Sequence, residues 1–253
     1  VAMTPRDFAV EVRVEHPRAL IDGIQHGALA GHPELEAAEY RLAFQIGGRG
    51  VYTFCMCPGG HVLPVPAEPD ALAINGMSHA ARASAWSNAA LVAAVGPGDW
   101  GGGDVLAGVR FQQDLERAAA AAGGGGCRAP AERLPSFVRG SRCGDLPVSS
   151  YRPGLTPADL GALLPSTLRD ALREGLRQAD HVLRGYLTAE ACVIGLETTT
   201  ASPVRILRDP DLASTSHPGL FPCGEGAGYA GGITSSAADG LAVARAVARR
   251  LGV

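Results

Sequence analysis

Lysine is absent: all 22 basic residues are arginine. That excludes Schiff-base catalysis by a lysine amine and the lysine of a Walker-type phosphate loop. With the heavy use of Ala and Gly, it reads as a drift in base composition rather than chemistry. There is no apolar run long enough to span a bilayer, and no signal peptide is expected. The six cysteines, Cys55, Cys57, Cys127, Cys143, Cys192 and Cys223, form no disulfide framework, and a 253-residue chain has core enough without one. The cytoplasm is the expected compartment. A net charge of −3 and the lack of any aromatic-interleaved basic patch argue against nucleic acid or a membrane surface as partner. Nucleophile elbow, Ser/His/Asp order and internal repeat are missing too.

What is present is glycine, concentrated near the end. Gly219–Gly240 reads as a short buried strand, a glycine-dense turn and a helix. Such a turn gathers bare backbone N–H groups and a helix N-terminus at one point, which suits a phosphate or another electron-rich ligand. Glu225 stands at its mouth. Gly226-Ala-Gly-Tyr-Ala-Gly231 matches G-x-G-x-x-G, but no second strand with an acid about 20 residues on follows it, so it is not a primary dinucleotide motif. Two readings stay open. One is a close-packed corner; the other is a cofactor turn in which Glu225 accepts from a polyol hydroxyl and the helix N-terminus faces a flavin's carbonyl edge.

The body of the chain reads as small strands and turns, then helices. Phe8–Glu15 alternates apolar and charged residues, predicting a half-buried strand. A short helix is expected near Pro33–Glu39, and strands near Tyr40–Gln45, Val51–Met56, His61–Val65 and Ala71–Ile74. This density suggests a largely antiparallel sheet. Val105–Ala122 keeps helical spacing and exits at Gly123–Gly126; residues 127–155 read as loop. Thr156, with Pro157 and Asp159 after it, predicts a helix start. Ser166 caps the next helix, with the stripe Leu168, Leu172, Leu176, Ala179, Leu183 and Tyr186. Strands are expected at Cys192–Glu197 and Val204–Leu207. The last helix carries Ile233, Ala237, Leu241, Ala244, Ala248 and Leu251 on one face.

Phe54-Cys-Met-Cys-Pro-Gly-Gly60 is a second candidate site. Cys55, Cys57 and His61 invite a metal-thiolate reading, but structural zinc wants paired spacing and no second pair stands nearby. Redox pairs prefer C-x-x-C. Packed thiols, or a turn lying against a flat ring, are the other readings. Asn75-Gly-Met-Ser78 with Arg82 and Asn88 is a polar cluster, or simply turn chemistry. Glu197–Arg205 combines an acid, hydroxyls and Arg205, which could pin a substrate carboxylate or merely sit in a surface ion pair. No catalytic acid or base stands out.

Taken in order, Phe8–Pro17, Gly50–Gly60, Asn75–Ser78, Ser150–Gly154, Ser202–Ile206 and Pro222–Ile233 resemble a family of bacterial FAD-dependent dehydrogenases. The family is loosely described as NAD(FAD)-utilising, and its substrate is not established. The resemblance runs from about Phe8 to the C-terminus. It implies an α/β fold: a mixed α+β substrate or cap domain over 1–215, then, at 216–253, the C-terminal strand–turn–helix of the FAD-binding domain. It implies an oxidoreductase passing hydride between a small substrate and FAD, with NAD(P)H as candidate electron donor and no metal. Gly224, Glu225, Gly226, Ala227, Gly228, Tyr229, Gly231, Gly232 and Ile233 would line FAD. Cys57, Pro58 and Gly59 would lie close to its ring. Cys55, Met56 and Arg205 are the candidate substrate contacts. Two departures stand against this. Thr199 replaces the family's usual Arg, and the Gly-rich strand–turn–helix that holds the ADP half of FAD is missing. The expectation is therefore a fragment, a truncated product or one half of a split protein, whose partner is the N-terminal FAD-binding half. The alternative is a non-catalytic remnant or interaction subunit that binds flavin only with a partner chain.

Overall fold

The computed structural model describes residues 1–65, 68, 70–141 and 144–252; Cys143 lies outside them. In chain order the elements are β1 (Met3–Pro5), β2 (Phe8–Pro17), α1 (Arg18–His26), β3 (Ala43–Ile46), β4 (Arg49–Cys57), β5 (His61–Pro64), β6 (Ile74–Met77) and β7 (Trp86–Val95). They continue as α2 (Ala107–Gly123), β8 (Ala129–Arg133), α3 (Leu134–Arg139), β9 (Leu155–Pro157), α4 (Leu160–Leu163), α5 (Ser166–Val182), β10 (Cys192–Glu197), β11 (Val204–Ile206) and α6 (Ile233–Leu251). The fold is α/β. Among the described residues no helix is long and apolar enough to cross a membrane.

The chain divides into two compact units. One comprises Val10–Ala94 and Gln113–Thr198; the other comprises Val1–Ala9, Val95–Gln112 and Thr199–Val253. The first, here the sheet unit, is built on a seven-stranded sheet of order β3-β4-β7-β2-β10-β8-β9. The pairs β3–β4, β4–β7, β2–β10 and β10–β8 run antiparallel, and β8–β9 runs parallel. Helix α5 lies over β3 and β4, and its expected stripe of Leu168, Leu172, Leu176 and Ala179, with Leu183 and Tyr186 beyond it, is buried. The small antiparallel hairpin β5–β6 contacts β4 and β10.

That cover changes the reading of β2. Its alternation predicts a half-buried strand, yet every residue from Phe8 to His16 is buried. β2 lies inside the sheet between β7 and β10, so Val10, Val12 and Val14 join the apolar core. Glu11, Arg13 and Glu15 are buried as well. Buried charge on this scale survives only if paired and hydrogen-bonded.

Other expectations also shift. Residues 33–39 form no helix; the helix is α1, upstream. Thr156 and Pro157 belong to β9, and Asp159 is the cap, its Oδ1 accepting from Ala162 N at 3.0 Å. Within the expected loop 127–155 stand β8 and α3. No strand forms over 219–223 before the glycine turn; a strand exists only where a neighbour pairs with it, and composition alone cannot supply one.

The other unit, here the turn unit, pairs β1 with β11 antiparallel. Phe8 stacks on Trp100 at 5.4 Å between ring centroids, with Phe111 edge-on at 6.3 Å. Helix α6 buries Val243 and Ala246. The face expected to pack is instead exposed: Ile233 is 93% exposed and Leu241 62%.

Candidate functional site

In the turn unit, residues 224–229 close on themselves. Gly228 N donates to Glu225 O at 2.9 Å and Tyr229 N to Gly224 O at 3.0 Å. Gly228 has φ +84°, and a Cβ there would meet Val204 O at 2.5 Å and Arg205 Cα at 2.8 Å. Only glycine lets the turn press onto β11 this closely. Ile206 N in return donates to Ala227 O at 3.1 Å.

Two residues that sequence reasoning missed hold the turn's base. Arg208 makes a bidentate pair with Asp239 at 3.0 and 2.7 Å. Asp239 Oδ2 also accepts from Gly224 N at 2.8 Å, and Arg208 donates to Pro222 O at 3.0 Å. The Arg208 guanidinium lies 3.6 Å from the Tyr229 ring centroid, and Tyr229 Oη donates to Ile206 O at 2.9 Å. The hydrogen bond from Arg208 is the main cause holding the Asp239 carboxyl below its ordinary range. Asp239 stands 31 residues from Arg208, so no local spacing signals the pair.

Arg205 is exposed, its Nε donating to Gly228 O at 3.0 Å. Its two terminal nitrogens make no hydrogen bond among the described residues and stay available to a ligand. The Glu225 carboxylate, half-buried, likewise has no partner among the described residues. Gly226 and Gly231 have open space where a side chain would stand. Gly232 begins α6 without a side-chain cap, and no described group accepts from Ile233 N or Thr234 N. Helix N–H groups left in this state attract an electron-rich ligand. The donor set fits the carbonyl edge of a flavin, and Glu225 fits a hydroxyl donor.

In the sheet unit, β4 breaks register with β7 between Phe54 and Cys57. Cys55 carries φ +44°, uncommon for a residue other than glycine. Such a bulge re-aims the chain, here into the turn Pro58–Gly60. Arg13, fully buried, holds it from inside: Nη1 donates to Cys55 O at 3.2 Å and Asn88 Oδ1 at 3.1 Å. Nη2 donates to Glu11 at 2.9 Å and Asn75 Oδ1 at 3.1 Å. Ser78 Oγ donates to Pro58 O at 2.8 Å and Gly59 N to Ser87 Oγ at 3.1 Å. The structure thus brings Asn75–Ser78 and Asn88 onto the Cys55–Gly60 turn. Gly76 is the contact point: a Cβ there would meet Asn88 Oδ1 at 2.2 Å, Arg13 Nη1 at 2.5 Å and Cys57 Sγ at 2.9 Å. The backbone of Arg82 packs on Gly59, where a Cβ would meet Arg82 O at 1.8 Å, while its side chain pairs with Glu36 at 3.1 Å and Glu39 at 2.6 Å.

Burial pushes both the Cys55 and Cys57 thiols up, with Arg13 pulling the other way. The shift leaves them less reactive than an ordinary thiol toward nucleophilic attack. His61 faces His79, ring centroids 5.8 Å apart. Among the described residues no group of three His, Cys, Asp or Glu side chains is arranged to hold a metal ion.

Glu197 closes the cluster from β10, opposite Glu11 in register. Burial first, then the Glu11 charge, pushes its carboxyl up to about 8 despite Arg13. Glu11 is raised by burial too, opposed by Arg13. Among the described residues, Glu197 Oε2, Arg13 Nε and Asn88 Nδ2 are buried without a hydrogen-bond partner. Beyond Glu197, Thr198 Oγ1 donates to Glu116 Oε1 at 2.6 Å.

Residues 7–200 match the family described as FAD-dependent protein, C-terminal domain-like. An uncharacterized protein of Clostridium beijerinckii (strain ATCC 51743 / NCIMB 8052) is 42% identical over 249 residues, covering 96% of this chain and 46% of that protein. The chain therefore spans about half the length of the curated relative it matches. The matched segment holds both the sheet unit and its Cys55–Gly60 turn, and the chain belongs to the FAD-dependent protein C-terminal domain-like family.

Proposed function

We propose that this chain is the C-terminal portion of an FAD-dependent dehydrogenase. In this reading hydride passes between a small substrate and the flavin, with NAD(P)H as candidate electron donor. The observation that carries it is the Gly224–Ile233 turn, where the Glu225 carboxylate and the N–H groups opening α6 have no partner among the described residues. Family membership supports FAD as the ligand. Bound FAD supplies the hydride chemistry; the protein binds it, orients it and sets the charge around it.

The residues divide the work. Glu225 accepts from a hydroxyl of the cofactor's polyol, while the backbone from Gly224 to Ile233 meets the carbonyl edge of the ring. In the sheet unit the buried turn Cys57–Gly59 backs the surface on which Cys55 and Met56 face substrate. Arg205 offers its two unbonded nitrogens to a substrate anion.

The exposed face of α6, Ile233 to Leu251, supports residues 216–253 as the returning piece of a FAD-binding domain. Apolar area of this kind marks a surface meant to be covered. In this proposal the cover is an N-terminal FAD-binding half, in cis or as a separate chain. The same face would serve a non-catalytic subunit that acquires flavin only from its partner. The visible spectrum of the purified chain, alone and co-produced with the coding sequence upstream of it, tests the reading. Flavin bands in the co-produced sample and turnover of a reductant support the enzyme. Bands without any turnover favour the non-catalytic subunit, and folded protein without bands in either sample removes the proposal.

A further inference from the structure

Beside the Cys55 bulge the sheet unit has a cleft of about 790 Å³. That volume is in the range that accepts a small organic molecule. Its lining includes Glu39, Arg41, Tyr52, Phe54, Cys55 and Met56.

The walls follow from strand geometry. Along β4, Val51 and Thr53 point into the core, so Tyr52 and Phe54 share the opposite face. They are 38% and 42% exposed. One exposed aromatic side chain is ordinary. Two on one strand face beside a cleft form a surface for stacking a flat ring.

Charge narrows the class. Glu39 is engaged by Arg82 at 2.6 Å. Arg41 is exposed and has no partner among the described residues. The lining thus presents one unpaired guanidinium among aromatic rings, and guanidinium pairs with carboxylate through two parallel hydrogen bonds. Behind this lining the bulge is held rigid, since Arg13 grips Cys55 O from within the core. A surface fixed before binding loses little conformational freedom when a ligand arrives.

We propose that this cleft is the substrate site and that it takes planar aromatic carboxylates. The ring lies on Tyr52 and Phe54, and the carboxylate pairs with Arg41. The proposal rests on the reading that Cys55 and Met56 face substrate, but its test needs no flavin.

The test titrates the full chain with 2-naphthoate, followed by the probe's fluorescence, beside methyl 2-naphthoate and cyclohexanecarboxylate. Saturable one-to-one binding of 2-naphthoate is expected, with the neutral ester roughly tenfold weaker for want of the charged hydrogen bonds. Cyclohexanecarboxylate should fail to compete, having no ring to stack. Arg41→Ala should erase the preference for acid over ester, and Phe54→Ser should weaken both probes. Both side chains are exposed, and circular dichroism checks that each variant is folded; Tyr52→Ser replaces Phe54→Ser if that one is not. Absence of saturable binding, or binding that ignores both substitutions, overturns the proposal. Displacement of 2-naphthoate by flavin mononucleotide also overturns it, because the cleft would then seat the flavin ring itself. Failure here leaves the flavin reading of the glycine turn standing, and a missing flavin spectrum leaves this result standing.

Discussion

The two turns solve one problem in opposite ways. Each is a stretch of backbone held in an unusual shape by an arginine. At Cys55–Gly60 the arginine is Arg13, fully buried, with acceptors from three strands and the bulge itself. At Gly224–Gly232 it is Arg208, near the surface, with one carboxylate, one carbonyl and the face of Tyr229. The first turn is fixed from within the fold and is buried from Cys57 to Gly60, with only Cys55 exposed and Met56 half-buried at its edge. The second is held at its base by Arg208 and Asp239 and along β11 by Ala227 O, and among the described residues it leaves Ile233 N, Thr234 N and the Glu225 carboxylate open. A buried, rigid turn and a more open one differ in what they hold, and the difference predicts which substitutions cost stability and which cost ligand.

The largest effect should come from Arg13. Arg13→Ala leaves Glu11 buried without its partner, and breaking a buried pair costs about 3–5 kcal/mol. Urea unfolding should show it, and a cost no larger than that of Arg208→Ala would erase the contrast between the two turns.

Glu197 gives the next effect, as a change in pH dependence. Its carboxyl sits at about 8 in the folded state against an ordinary 4.5. Between those values the folded state keeps a proton that the unfolded chain releases, so this group makes stability fall as pH rises from 4.5 to 8. Glu197→Gln fixes the protonated shape. Its stability, measured against pH, should decline less than the native chain's over that window; identical slopes would rule out a buried protonated Glu197.

In the open turn, Glu225→Ala should weaken flavin retention by about 1.5–3 kcal/mol in the flavin-bearing complex. It should leave the unfolding midpoint unchanged, because the carboxylate has no partner among the described residues. Asp239→Asn should act the other way, lowering stability by about 1 kcal/mol through its bonds to Arg208 and Gly224. Asp239 is held below its ordinary range, so its stabilisation is present above the unfolded carboxylate range and lost as pH falls through the folded value. The stability gap between the native chain and the Asp239→Asn variant should therefore close in acid; a gap constant with pH would mean that the ionised pair contributes nothing.

How much of this is legible in the sequence depends on whether the contacts are local. The stripe of α5 and the strand β10 are plain because periodicity within one element determines them. The glycine turn is visible because its backbone shape restricts the residues that can form it. β2 misleads: its alternation implies charges facing water, but the hairpin carrying Asn75 and Gly76 covers that face. β7 gives no signal, since Trp86–Val95 is buried on both faces and shows no alternation. Arg13 and Asn88, 75 residues apart, and Arg208 and Asp239, 31 apart, meet only through the fold. The face of α6 is apolar, as its periodicity implies, but Ile233, Leu241 and Leu251 on it are exposed.

The most direct measurement is flavin absorbance of this chain co-produced with its upstream coding sequence, native beside Glu225→Ala. A flavin spectrum is expected in the native complex, with weakening or loss on dilution of the variant. Folded native complex without flavin, or equal retention by both, would contradict the cofactor role of the glycine turn.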